Sequence, residues 1–363
     1  MKKTVIPFLF LLLSINANSQ TLAAFNDNLH RFWAFEAGIF TQLEYLEIQD
    51  FQVGGILIAY IDNDQNLKIY RNGQVESLIQ GSPIKYTATD YLLGYSIYEQ
   101  LNVYDNGKTK VLSTAADGYI VQDSLIAWHD KVKQTMEVYY NGRTIKVLDG
   151  LIYNPLKIFK AGDNTIAWVN SSTQSFSVFY HGHTIVLDDY SQEVTFDAGR
   201  DIVAFYDTPD QVFNVFLNGE VTEIEPFIPK SFKVGDDMVV YVDNMGKLKY
   251  YDRNGVQTIT NFEPSFYDVE DMVMVYEEQG FLKTFCNGEV YIIERYIPQP
   301  YKLDYNTIAY LDQSRFLKAF QHCSGSTITN ERIAEISLIR DLIIFTTGIN
   351  KVNIYFNGQI YKH

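Results

Sequence analysis

From about residue 22 onward, short apolar runs alternate with short polar turns, and no apolar stripe of helical spacing interrupts them. Residues 232–260 show the unit. Phe232 to Gly235 is extended, Asp236 and Asp237 turn, and Met238 to Val242 is a continuous apolar run of strand length. Asp243 to Gly246 turns again, and Lys247 to Tyr251 alternates as a half-buried strand does. Asn254-Gly255 predicts a type I′ hairpin, whose two central residues need positive φ, and Val256 to Thr260 completes a fourth strand. Four strands in about 36 residues leave no room for a helix.

The unit repeats. A glycine, usually after Asn, returns at Gly38, Gly73, Gly107, Gly142, Gly182, Gly219, Gly255, Gly288, Gly325 and Gly358, in steps of 33 to 40 residues. An aromatic ends the second strand in all ten copies, as in Phe25, Tyr60, Trp128, Trp168 and Tyr241, usually after a small or branched apolar residue such as Ala59 or Ala167. A second aromatic stands three residues before the glycine in eight copies, from Phe35 and Tyr70 to Phe285 and Tyr355. Residues present in every copy are read as packing between sheets, because a ligand is held by departures from a repeat. Seven of the nine prolines fall between one copy's fourth strand and the next copy's first, where ladders stop.

This period and strand pattern resembles a β-propeller, over the whole chain after residue 19. The Trp-Asp ending of WD40 blades and the Gly-Gly signature of kelch blades are absent. Tyr241-Val242-Asp243-Asn244 resembles part of the motif of YVTN-type secreted propellers, and exported propellers of the TolB type are the nearest functional analogy. The resemblance implies an all-β fold of eight to ten blades, with a single ring preferred. Two smaller rings or an open arc fit the same count. The first copy begins with its second strand at Leu22, and the last ends its fourth strand at the terminus, so no strand exchange closes the ring.

Lys2 and Lys3, the apolar stretch Val5 to Ile15, and Ala17 and Ser19 read as a signal peptide over residues 1–19, followed by one repeat domain over 20–363. Export to the periplasm or beyond is expected, without membrane insertion. The formal charge of −15, with no cluster of Lys and Arg, makes nucleic acid a poor partner. Cys286 and Cys323 each lie two residues before their copy's glycine, hence at equivalent positions on neighbouring sheets about 10 Å apart, which predicts free thiols.

Candidate chemistry is sparse. Asp62 to Asn66 begins like a calcium loop, but Leu67 stands where the loop needs glycine, and a plain turn is expected. His181 and His183 flank Gly182 without further ligands at metal-binding spacing, and no nucleophile elbow or phosphate-binding loop occurs. No catalytic residue, metal or cofactor is assigned. Three consecutive connections read Phe227-Ile228-Pro229, Phe262-Glu263-Pro264 and Tyr296-Ile297-Pro298. Phe227, Phe262 and Tyr296 are the candidate ligand-binding residues of a non-enzymatic module that recognises an envelope protein segment or a glycan. The alternative is a polysaccharide hydrolase or lyase, which an acidic or histidine cluster at the ring axis would favour.

Overall fold

The computed structural model describes residues 22–81, 84–150, 159–170, 172–191, 193–348 and 351–363. Residues 1–19, which the sequence reads as a signal peptide, lie outside them, as do Pro83 and Pro155. Ten antiparallel sheets follow one another along the chain, each a simple meander, and they close into a single ring. Blades 2 to 10 have four strands. Blade 1 (Leu22–Glu44) has three strands among the described residues, which correspond to the second, third and fourth strands of the other blades.

The recurring aromatics hold the blades face to face. Tyr60, Tyr95, Trp128, Trp168, Tyr241 and Tyr276 at the ends of the second strands are all buried, as are Phe35, Phe179 and Phe216 from the third strands. Each seam has its own apolar cluster; one joins Ile202, Phe213 and Val215 of blade 6 to Val239 and Tyr241 of blade 7. Burying each large side chain contributes about 1.5–3 kcal/mol. The last seam packs Ala23, Phe25 and Phe35 of blade 1 on Leu342, Ile344 and Ile354 of blade 10. His363 sits edge-on to Phe25, Trp33 and Phe40 there.

Two turns differ from the pattern read in the sequence. In blade 7, Asn254 is not at positive φ, whereas Gly255 is, at 97°, and pairs with Asp252. That hairpin is a turn followed by a glycine bulge, not type I′. In blade 9 the turn residues are His322 (φ 51°) and Cys323 (φ 54°), between Gln321 and Ser324, while Gly325 lies within the outer strand.

The second shift corrects the cysteine expectation. Cys286 ends the third strand of blade 8, whereas Cys323 takes the turn position that Gly288 holds in that blade. The two are not equivalent. The offset brings the Cα atoms to 5.7 Å, and the thiols form a disulfide joining blades 8 and 9.

Candidate functional site

Within each blade the first strand is innermost, so the turn after it faces the ring axis. Glycine ends three inner strands in succession, at Gly162, Gly199 and Gly235. A Cβ on Gly199 would sit 1.9 Å from the Gly235 carbonyl oxygen, and one on Gly162 only 2.1 Å from the Gly199 carbonyl. Inner strands therefore meet backbone to backbone, and the residue after each glycine is thrown into the axis.

These turns enclose an axial cavity of about 500 Å³. Asp90, Asp123 and Asp163 enter it from blades 3 to 5, and Asp236, Glu270, Asp271 and Asp304 from blades 7 to 9. Arg200 and Arg340 are the cations among its lining residues. The acidic axis named above as a mark of an enzyme is present.

Six of these seven carboxylates, all but Glu270, are held as rungs between blades. The Asp90 amide donates to Asp123 (2.7 Å) and the Asp123 amide to Asp163 (2.7 Å). The Tyr305 and Arg340 amides donate to Asp271 (3.0 Å) and Asp304 (2.9 Å). Arg200 bridges Asp163 and Asp236. Arg340 reaches from blade 10 to Asp90 of blade 3, across the sector where blade 1 has no inner strand among the described residues. Gly55 makes room for that pair, because a Cβ there would lie 2.8 Å from the guanidinium.

Crowding like charges in a partly dry cavity disfavours ionisation. Burial, with Asp163 and Asp90 adding to it, pushes Asp123 up to about 7. Burial pushes Asp236 and Asp304 up to about 6, against the opposing pull of Arg200 on one and the Arg340 amide on the other. A carboxyl whose folded pKa is raised stabilises the fold below that value, and the contribution is lost as pH rises through it. Asp123→Asn keeps an acceptor for the Asp90 amide. The variant is expected to gain about 1–2 kcal/mol at pH 8, with the gain shrinking toward pH 4. Urea denaturation at the two pH values checks this; an equal effect at both would refute it.

The strand order divides the remaining loops between two faces. One carries the first-to-second and third-to-fourth turns; the other carries the second-to-third turns and the blade-to-blade connections. Large exposed apolar residues collect in the loops of the second face: Leu29, Tyr45, Leu46, Tyr98, Val132, Tyr190, Met245 and Phe262. The turns of the first face expose only Tyr91 and Met272 among the described residues, and the rest lie on outer strands at the rim.

Phe227, Phe262 and Tyr296 all lie on that second face. Phe262 is 60% exposed, beside the blade 7 turn that carries Met245. Phe227 and Tyr296 are half-buried. The Tyr296 hydroxyl accepts the Gln313 amide at 3.0 Å, pinning its connection to the blade 9 turn. An ion pair between Lys230 and Glu263 ties the first two connections together.

The other sequence candidates are explained by local bonding. Asp62 Oδ1 accepts the amides of Asp64 (2.9 Å) and Asn66 (2.8 Å), as a plain turn does. His181 lies between the Tyr140 hydroxyl (2.8 Å) and Asp201 (3.0 Å). Repeat tyrosines also do more than pack. Tyr60, Tyr241 and Tyr310 donate to Glu44, Glu225 and Glu294 of the preceding blades, and Lys68, Lys249 and Lys318 meet the same carboxylates. The sequence signal was a Lys eight residues after the second strand's Tyr, with a Glu ending the outer strand before it.

Among solved structures, the chain is similar to the computationally designed protein Ika8, with 12% identity, a TM-score of 0.34, and coverage of 85% of this chain and 96% of that one. Prp20p of Saccharomyces cerevisiae, whose structure was described with its binding to Gsp1p and histones, gives 10%, 0.32, 56% and 72%. The CRINKLY WD40 ectodomain of an Arabidopsis thaliana receptor kinase gives 9%, 0.33, 66% and 92%. No curated protein sequence matches the chain. The model of the 10-bladed beta propeller domain matches residues 16–361, which agrees with the ten sheets counted in the ring. The chain belongs to the 10-bladed β-propeller domain family.

Proposed function

We propose that the protein is an exported, non-enzymatic binding module of the bacterial envelope that grips a protein segment on the face carrying its blade-to-blade connections. The observation that carries this reading is the concentration of exposed apolar loop residues on that face, where eight stand against two, Tyr91 and Met272, on the other among the described residues. Large apolar side chains exposed preferentially on one face of a folded protein point to that face as an interaction surface. The mixture of aliphatic and aromatic groups suits polypeptide side chains better than sugar rings, and the aromatic-Pro connections supply rigid contact area. Phe262 contributes directly, with Phe227 and Tyr296 shaping the connections around it.

A second reading, polysaccharide cleavage at the axis, rests on the raised carboxyls of Asp123, Asp236 and Asp304. It ranks lower because amides or arginines of neighbouring blades already engage all three. In-cell crosslinking of the tagged, exported protein, followed by mass spectrometry, separates the two. One dominant protein partner is expected, its yield falling at least tenfold in the Phe227→Ala, Phe262→Ala, Tyr296→Ala variant and unchanged in Asp123→Asn. Undiminished capture by a folded triple variant would remove the face assignment. Glycan cleavage by the wild type that Asp123→Asn abolishes would establish the enzyme instead.

A further inference from the structure

The residue two places after the buried aromatic of the second strand is Asp in six blades: Asp27, Asp62, Asp130, Asp207, Asp243 and Asp312. In five of them a basic side chain meets that carboxylate: Arg31 at 2.6 Å, Lys68 at 2.9 Å, Lys133 at 3.7 Å, Lys249 at 3.2 Å and Lys318 at 3.6 Å. In blades 2, 7 and 9 the lysine also holds a Glu from the end of the preceding outer strand, so one ammonium joins two acids across the seam.

The seam between blades 5 and 6 keeps both acids and lacks the cation. Asp188 takes the place of Glu225 and Glu294, as the strand register shows. Asp207 takes the place of Asp243 and is 8% exposed. The residue opposite the aromatic, lysine at the other three seams, is Asn214 opposite Phe205. Neither Asp188 nor Asp207 has an ion-pair partner among the described residues. A third carboxylate, Asp210, arrives instead, and the three acids present oxygens within 4.8 Å of one another.

Other bonding leaves room for a ligand there. In blades 2, 7 and 9 the amide two residues after the Asp donates to it; here that residue is Pro209, which has no N–H. Asp207 accepts the Glu193 amide at 3.3 Å, and Asp188 accepts the Tyr190 amide at 3.0 Å and the Ser191 hydroxyl at 2.8 Å. The acids and Asn214 line a cavity of about 250 Å³.

We propose that a calcium ion binds at this seam, ligated by Asp188, Asp207 and Asp210, and takes the place that lysine ammonium groups fill at the equivalent seams of the same ring. All the available donors are oxygens, which selects a hard cation. Asp210, on an exposed turn, can adapt to the irregular coordination of calcium better than to the strict octahedron of magnesium.

The test is calorimetric titration and thermal unfolding of the full chain with calcium. One site is expected, and about 5 mM calcium should raise Tm by about 3 °C, with a smaller response to magnesium. Asn214→Lys supplies the ammonium found at the other seams; it should abolish the calcium response while raising Tm in chelator. Asp210→Asn, at an exposed residue, should weaken binding at least tenfold with the fold intact. No heat and no Tm shift in the wild type, an equal response to magnesium, or undiminished binding in both variants would overturn the proposal.

Discussion

Gly199→Ala is expected to cost about 4–5 kcal/mol or to prevent folding altogether, a loss found only where a substitution breaks a buried contact. Its new methyl would lie 1.9 Å from the Gly235 carbonyl oxygen, at a point where two inner strands touch through backbone alone. No rotamer change relieves that overlap, so blades 6 and 7 must separate near the axis. The control is the same substitution at Gly325. There a Cβ meets only Phe320, at 3.9 Å, and φ is not positive, so Gly325→Ala is expected to change stability by less than about 0.5 kcal/mol. Chemical denaturation of the two variants is a direct comparison. Similar losses in both would show that the inner-strand contact is not the rigid element described above.

Lys249→Met should cost about 3–5 kcal/mol, because removing one member of a buried ionic cluster strands the others. The ammonium pairs with Glu225 and Asp243, whose side chains are 8% and 3% exposed, and Tyr241 donates to the same Glu225 at 2.8 Å. The penalty should depend on pH. Burial raises the Asp243 carboxyl, but the Lys247 amide and the Lys249 ammonium outweigh it and hold the group below its ordinary value. A depressed folded pKa means stability that is present above the unfolded value and lost as pH falls through the folded one. Without the ammonium, the Asp243 carboxyl loses one of the groups that hold it down. The difference between wild type and variant should therefore be largest near pH 7 and should narrow toward pH 4. Denaturation midpoints across that range decide it, and a penalty independent of pH would mean that lost packing, not lost charge, dominates.

Repeats of local pairings are legible in a sequence because the residues that pair lie within one period. The four-strand unit and the burial of Tyr60, Trp128 and Tyr241 were readable for that reason. The axis was not, because Asp90, Asp123 and Asp163 have the composition of any tight turn, and only the tertiary arrangement aims them at one point. A second glycine series, Gly162, Gly199 and Gly235, was visible in the chain, but its meaning lies in how closely neighbouring blades approach. The disulfide was misread for a smaller cause. Taking Gly325 for a turn glycine displaced the blade 9 hairpin by two residues and made two non-equivalent cysteines look equivalent. The lysine clusters join the outer strand of one blade to the third strand of the next, as Glu44 to Lys68, so their pattern straddles two copies of the unit.

The closing contact between Phe25 and His363 bears on why the ring can be this large. The entropy lost in bringing chain ends together grows only logarithmically, by about 0.6 kcal/mol for each doubling of length, so a ten-membered ring closes almost as readily as a five-membered one. Geometry sets the heavier demand. With ten members each sheet turns through only about 36°, and the inner edges stand further from the centre than in smaller rings. Such a circle leaves a hole that apolar side chains on short inner strands do not span. Long arginines and hydrogen-bonded carboxylates do span it, at the expense of ionisation in a confined space. The polarity of the centre is on this view a consequence of circumference, and shrinking the ring by a repeat would remove the room those charges occupy.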